Sequence, residues 1–250
     1  MGKFINEDPI PLRDKGIPGE RDDIFNPQIT AKGDTYKHLQ RYQRAAQRIG
    51  GGKKVLDMGC GTGYGTKILS NGGKNEIYGI DVSQKAIDYA KKTYPGPEYA
   101  CCSAEKLPFK DNYFDAVASF EMIEHVQNPE KVLAEIYRVL KKDGGLFIST
   151  PNIRHLGIIL SHFLIGRPYP EHLNNIYHLK EFYYDEFAGL LKNAGFKVVS
   201  QYGQELRVWP WKVQLILEKT LPFPVIYKLE VLSGYYFPKY ATTIVLHAKK

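Results

Sequence analysis

Residues 55–65 read Val55-Leu56-Asp57-Met58-Gly59-Cys60-Gly61-Thr62-Gly63-Tyr64-Gly65. An apolar strand stub ends in a carboxylate, glycine then recurs at every second position, and a helix-compatible stretch, Thr66 to Ser70, follows. Glycines at 59, 61 and 63 let the backbone take left-handed angles and let a ligand lie against the main chain. A helix N-terminus just beyond supplies free N–H groups and a partial positive charge. Two common phosphate loops do not fit. A dinucleotide loop needs G-x-G-x-x-G, but its third glycine slot falls on Tyr64, Thr66 or Ile68, depending on the starting glycine. The Gly-Lys-Ser/Thr ending of a nucleoside triphosphate loop is also missing.

Asp57 adds a positive argument. A carboxylate two residues before the first glycine repels a pyrophosphate and suits an ammonium. S-adenosylmethionine has an amino-acid end, a sulfonium, a ribose diol and no phosphate. The flanking pattern agrees with a βαβ unit. Glu76-Ile77-Tyr78-Gly79-Ile80 reads as a second strand closed by Asp81. Its carboxylate stands near the roughly 20-residue offset of an acid that grips a ribose diol. Ser83 then caps a helix running to Tyr94, with Ala86, Ile87 and Ala90 on one face.

The segments VLDMGCGTGYG (55–65), YGIDVSQKAIDYAKK (78–92), SAEKLPFKDNYFDAVASFEMIEHV (103–126) and VLKKDGGLFISTPN (139–152) carry a family resemblance. Together they resemble the class I S-adenosylmethionine-dependent methyltransferases of the type 11, ubiquinone- and menaquinone-type group. The lead-in GERDDIFNP (19–27) and HLQRY (38–42) is similar to polysaccharide-locus methyltransferases, although Asp22, Asp23 and Ile24 interrupt the usual Arg-Phe spacing. The resemblance implies an α/β fold, a doubly wound seven-stranded Rossmann-like sheet with six strands parallel and one antiparallel. It also implies S-adenosylmethionine as cofactor and S-adenosylhomocysteine as product.

Composition sets outer bounds. The 250 residues suffice for one large α/β domain, and 43% hydrophobic with 24% charged residues is ordinary for a soluble globular protein. The first twenty residues lack the apolar core of a secretory signal, and the greasiest stretch, Leu156 to Ile165, is too short to span a bilayer. Cys60, Cys101 and Cys102 offer neither a disulfide framework nor a metal-binding spacing, so no metal is expected and a reducing cytoplasm fits. The net charge of +7 is uneven: residues 151–250 carry twelve basic against seven acidic groups. Such a surplus can attract an anionic acceptor, nucleic acid or a membrane surface, or simply form a solvated face.

The remaining elements are read as a helix over Thr30–Ile49, strands at Glu98–Cys101 and Phe114–Ser119, and a helix started by Asn128-Pro129. Gly144-Gly145 reads as a turn into a fifth strand, Leu146 to Thr150. Tyr184 to Ala194 is a helix, Phe196 to Gln201 a sixth strand and Tyr240 to Ala248 a seventh. Within one structural domain, 1–50 forms an N-terminal segment and lid helix, 51–152 the cofactor-binding core and 153–250 the rest of the sheet. Two insertions, 153–183 after strand five and 203–239 after strand six, exceed what the sheet needs. The first follows a strand's carboxyl end, where acceptors bind in such sheets. The second, rich in aromatic residues and prolines, is expected to hold two short helices; it could pack as a cap, line the pocket, form a dimer face or rest on a membrane.

By the resemblance, Gly59, Cys60, Gly61 and Gly63 pass beneath the methionine and ribose portions, and Asp57 acts on the amino end. Asp81 takes both ribose hydroxyls, with Val82 beside it. Ser103, Ala104 and Glu105 border the adenine; relatives often have Asp where this chain has Ser103. Glu121 lies beside the methionine portion. Tyr36, His38 and Arg41, at helical spacing, could close over the cofactor, with Arg41 pairing with its carboxylate. His125 is the candidate general base, since a histidine titrates near neutrality; ordering the turn before Asn128 is its structural alternative. His172, His178, Tyr169, Arg154 and Arg167 are candidate acceptor contacts. The acceptor is read as a small molecule, methylated on oxygen, such as a sugar or similar polar biosynthetic intermediate. A lipid or membrane-surface substrate is an alternative, as is RNA or protein, although Ser119-Phe120-Glu121 stands where amino-group methylases of bases carry Asn/Asp-Pro-Pro-aromatic. Peripheral membrane contact and a homodimer stay open.

Overall fold

A computed structural model describes residues 34–166, 168, 178–206 and 234–250, those at 34–36 and 165 by backbone alone. Seven strands share one sheet: β1 (Lys54–Met58), β2 (Glu76–Asp81), β3 (Glu98–Cys101), β4 (Phe114–Phe120), β5 (Leu140–Pro151), β6 (Lys197–Gln204) and β7 (Thr243–Lys249). Their order is β3-β2-β1-β4-β5-β7-β6, and only β7 runs antiparallel to its neighbours. The chain leaves β1 outward through β2 and β3, then returns to place β4 on its other side. The carboxyl ends of β1 and β4 therefore flank the point where strand order reverses, the position at which open α/β sheets bind ligands.

The central strands are apolar because both of their faces are covered. Val55, Leu56 and Met58 of β1 are fully buried, and alternate residues serve opposite layers. Leu56, Met58, Ile80 and Val117 pack under α4 (Pro129–Val139) and α6 (Tyr184–Asn193), whose Ile136 and Phe187 join the same core. Val55, Ile77, Ala116 and Phe120 face the other way, towards Tyr42 and Ala45 of α1 (Asp34–Ile49) and Leu69 of α2 (Tyr64–Leu69). The expected caps form: the Asn128 side chain accepts from the Lys131 N–H at 2.9 Å. The Ser83 hydroxyl accepts from the Ala86 N–H at the start of α3 (Gln84–Thr93).

Three boundaries differ from the sequence reading. β5 starts at Leu140, opposite Phe114, and shifts register before Gly145 meets Ala116. Gly144-Gly145 is thus no free turn but part of an irregular strand start. A side chain at Gly144 would lie 2.8 Å from the Lys141 carbonyl. β6 continues to Gln204, and β7 begins at Thr243 because Pro238–Tyr240 forms a short 3-10 turn ahead of it. Of the first insertion, α5 (Leu156–Ile165) is described. The helices expected around 213–232 lie outside the described residues. Among the described residues no helix is long and apolar enough to cross a membrane.

α1 packs over the glycine loop's helix. A Cβ at Gly65 would sit 2.1 Å from the Tyr42 ring, so only glycine admits that contact. Gly65→Ala is expected to cost about 2 kcal/mol by overpacking, read as a lowered denaturation midpoint. An unchanged midpoint would contradict the seating of α1 on α2.

Candidate active site

The loop after β1 is built from three glycines with different duties. All have positive φ, at +70 for Gly59, +52 for Gly61 and +88 for Gly63. Added side chains at Gly59 and Gly63 would strike Met122 at 2.6 Å and Ala90 at 2.7 Å, so these two serve packing as well as conformation. At Gly61 no described residue lies within 4 Å of where a Cβ would stand. That open cradle is where a ligand can lie on the main chain.

Asp81, closing β2, forms the rim of the cradle. One of its carboxylate oxygens accepts from the Gly61 N–H and the other from the Ser83 N–H, each at 2.9 Å. Loop and acid are thereby set in one frame. The next residue, Val82, leaves 51% of its surface exposed, an apolar face beside the carboxylate. The Cys102 N–H donates to the Asp81 carbonyl at 3.0 Å, which brings the 103–105 turn alongside. In that turn the Ser103 hydroxyl accepts from the Glu105 N–H at 3.2 Å, and the Glu105 carboxylate lies 3.5 Å from the Lys131 ammonium. Ala104 packs on the main core. The Cys60 side chain packs in a small cluster with Ile87, Ala90 and Tyr99, its thiol 3.7 Å from the Gly61 carbonyl, and burial pushes its pKa up.

Asp57 occupies a different position from the one expected. It is wholly buried beneath the loop, where the Tyr42 hydroxyl donates to one oxygen at 3.0 Å and the Thr66 hydroxyl to the other at 2.7 Å. Burial raises its pKa to about 7 despite both hydrogen bonds. The carboxylate thus ties α1, β1 and α2 together.

Arg41 likewise faces inward. Its guanidinium donates to Gln204 at 2.7 Å and lies 3.6 Å from the Glu121 carboxylate. Lys37, one turn earlier, pairs with Glu205. Glu121 sits just past β4 with a left-handed φ of 54, and its carboxylate also accepts from the Ser149 hydroxyl at 2.7 Å. The His38 ring hydrogen-bonds the Tyr64 hydroxyl. These contacts fasten the expected lid helix to the ends of β4 and β6. The side chain of Tyr36 lies outside the described residues.

A second polar group stands past β4. Glu124 is 1% exposed. One of its oxygens accepts from the Thr150 hydroxyl at 3.2 Å, and the other has no hydrogen-bond partner among the described residues. Burial holds this carboxyl well above the usual range, with the Glu121 charge adding to the rise. His125 Nε2 lies 3.8 Å from that second oxygen, and the His125 and His178 rings meet edge-on with centroids 5.0 Å apart. The Leu179 and Lys180 N–H groups donate to the Glu124 carbonyl at 2.8 and 3.2 Å, which seats His178 there. His178 Nδ1 in turn meets the Glu181 carboxylate at 2.6 Å. Of the other acceptor candidates, Arg154 stacks 4.7 Å over the Tyr183 ring. Arg167, Tyr169 and His172 lie outside the described residues. Tyr42, Thr66, Glu124 and Gln204 were not singled out from the sequence; Tyr42, one helical turn after His38, carried the clearest available signal.

The Asp57 shift has a definite sign. The folded state holds its proton up to about pH 7, whereas the unfolded chain releases it near 3.8. Stability from this group is therefore full below the unfolded value and falls as pH rises through the folded one, by about 4 kcal/mol in all. Asp57→Asn is expected to flatten the fall between pH 4 and 7, measured by urea denaturation across that range. An unchanged slope would contradict a buried, proton-retaining Asp57.

Residues 56–148 match the family model for a methyltransferase domain. Over 167 residues the chain is 32% identical to a Mycolicibacterium smegmatis protein named "Probable S-adenosylmethionine-dependent methyltransferase", covering 67% of this chain and 60% of that protein. Over 106 residues it is 40% identical to a ubiquinone biosynthesis O-methyltransferase of Dechloromonas aromatica, covering 40% of this chain and 45% of the relative. It therefore spans less than two thirds of the length of these relatives. The crystal structure of a SAM-dependent methyltransferase from Archaeoglobus fulgidus has the same fold, with a TM-score of 0.61 at 19% identity over 87% of this chain and 95% of that one. The glycine loop, the strand order and these similarities together make residues 56–148 a class I, S-adenosylmethionine-dependent methyltransferase domain.

Proposed function

We propose that the protein transfers a methyl group from S-adenosylmethionine to an oxygen atom of a small polar acceptor, such as a sugar or a related biosynthetic intermediate. The observation that carries this reading is the open space over Gly61, framed by the Asp81 carboxylate whose two oxygens are fixed by backbone N–H groups. The cradle fits an adenosyl ligand: an acid at the rim suits a ribose diol, and exposed Val82 suits an aromatic base. To Glu121, just past β4, we assign the methionine end of the cofactor.

When bound, S-adenosylmethionine supplies a methyl group already activated by the sulfonium. The chain's own task is then to align the acceptor and take up its proton. The Glu124–His125–His178 group lies past β4, on the same edge of the sheet as the cradle, and His125, with 40% of its side chain exposed, is its solvent-facing member. We assign it the handling of the acceptor proton. Likeness to an O-methyltransferase of quinone biosynthesis supports an oxygen acceptor. The three free cysteines suit a reducing cytoplasm.

One observation favours a second reading. Tyr235, Tyr236, Phe237 and Tyr240 are exposed, as are Phe163 and Leu164 at the end of α5. Exposed aromatic and aliphatic side chains of this kind suit a lipid-borne acceptor at a membrane face. Co-sedimentation with anionic vesicles would favour it over a freely soluble acceptor.

Asp81→Ala is expected to weaken S-adenosylhomocysteine binding at least tenfold by calorimetry. Retained affinity would remove the ribose role. In a labelled-methyl assay over sugar nucleotides, quinone precursors and lipids, His125→Ala is expected to lower turnover about 100-fold with cofactor affinity intact. Unchanged turnover would take His125 out of the mechanism.

A further inference from the structure

We propose that Glu124, His125 and His178 form a binding site for one divalent first-row transition-metal ion at the head of the sheet, beside the cofactor cradle. One ligand atom from each residue lies within 4.8 Å of the others. Two imidazoles and one carboxylate are a donor set suited to such ions, and three protein ligands leave coordination positions open.

Independent observations point to a ligand here. One Glu124 oxygen is buried without a hydrogen-bond partner among the described residues, although its other oxygen is fixed by Thr150. A buried carboxyl oxygen left in that state is unsatisfied, and a bound cation would both satisfy it and favour the ionised form. Its distance to His125 Nε2, 3.8 Å, is too long for a hydrogen bond. It is close to the roughly 3.4 Å that separates two tetrahedral ligands on an ion with bonds of about 2.1 Å. His178 is oriented by the Glu181 carboxylate at Nδ1, the arrangement that commonly backs a metal-binding imidazole. Backbone bonds from Leu179 and Lys180 to the Glu124 carbonyl hold the two halves together, so that a small inward shift of the side chains would close them on an ion. Glu121 adds a nearby negative charge, partly offset by Arg41.

The proposal revises the sequence expectation of no metal. No spacing motif announces the site, because its third ligand comes from the segment after α5 and meets β4 only in the folded chain. Its consequence for catalysis rests on the proposed methyl transfer: with the ion bound, an acceptor oxygen would occupy an open position, where the metal would lower its pKa so that its proton passes to solvent water, and His125 would hold the ion in place of taking that proton as it does in the metal-free reading.

Chelator-stripped full-length protein, without cofactor or acceptor, should be titrated with Mn2+ by electron paramagnetic resonance and with Co2+ by visible absorption. The expected result is one saturable ion per chain, with imidazole nitrogen coupling in the pulsed Mn2+ spectrum. Glu124→Gln and His178→Ala should each weaken binding at least tenfold, while Glu130→Gln on the surface leaves it unchanged. Absence of a saturable site in the unmodified protein, or binding without nitrogen coupling, would overturn the proposal whether or not the variants fold. Calorimetry with S-adenosylhomocysteine on the same stripped sample separates the two readings. Ion binding without cofactor binding would leave the metal site standing and sink methyl transfer, and the reverse result would do the opposite.

Discussion

A single buried carboxylate organises this molecule. Asp57, one residue before the end of β1, has no access to water, and its two oxygens accept hydrogen bonds from the hydroxyls of Tyr42 on the N-terminal helix and Thr66 on the helix after the glycine loop. Three elements distant in sequence thus converge on one acceptor pair. The loop between them is then held from the other side, where the Gly59 and Cys60 N–H groups both donate to the Ile80 carbonyl at 2.9 Å. A loop clamped above and below can leave Gly61 bare without collapsing, and that bare position is what the cofactor reading requires. The arrangement keeps a carboxyl in a medium that disfavours its charge, a cost met by packing elsewhere in the sheet.

The same logic extends to the end of β4. Glu121 takes a left-handed backbone angle that non-glycine residues rarely adopt, and it is held there by Ser149 and Arg41. Arg41 reaches on to Gln204, whose own amide donates to the Lys37 carbonyl at 3.0 Å. The first helix is therefore a structural member of the site, joined to β4 and β6 by buried polar contacts. Such contacts are strong when complete and expensive when broken, which favours one fixed geometry at the crest.

Much of the fold was legible along the chain. The glycine loop, the second strand with its terminal Asp81, and the Ser83 and Asn128 caps each depend on neighbours a few residues away, so local chemistry reveals them. Asp57 was visible as a residue but not in its role, because Tyr42 reaches it from another element and closes it off. The contacts of Arg41 with Glu121 and Gln204 are hidden in the sequence for a similar reason, since they form only after the sheet is assembled. His125 and His178 were both noted, but no spacing rule links them; the Leu179 and Lys180 bonds to Glu124 do so in three dimensions. Gly144-Gly145 misled because glycine pairs signal turns, whereas close backbone packing against Lys141 gives the same preference inside a strand.

The account stands on an adenosyl ligand lying over Gly61 with its ribose on Asp81. Crystals grown with the selenium analogue of S-adenosylhomocysteine would locate that atom by anomalous scattering. One selenium peak at the carboxyl ends of β1 and β4, between the glycine loop and Glu121, is the predicted result. A peak elsewhere on the molecule, with side chains closed over Gly61, would contradict it.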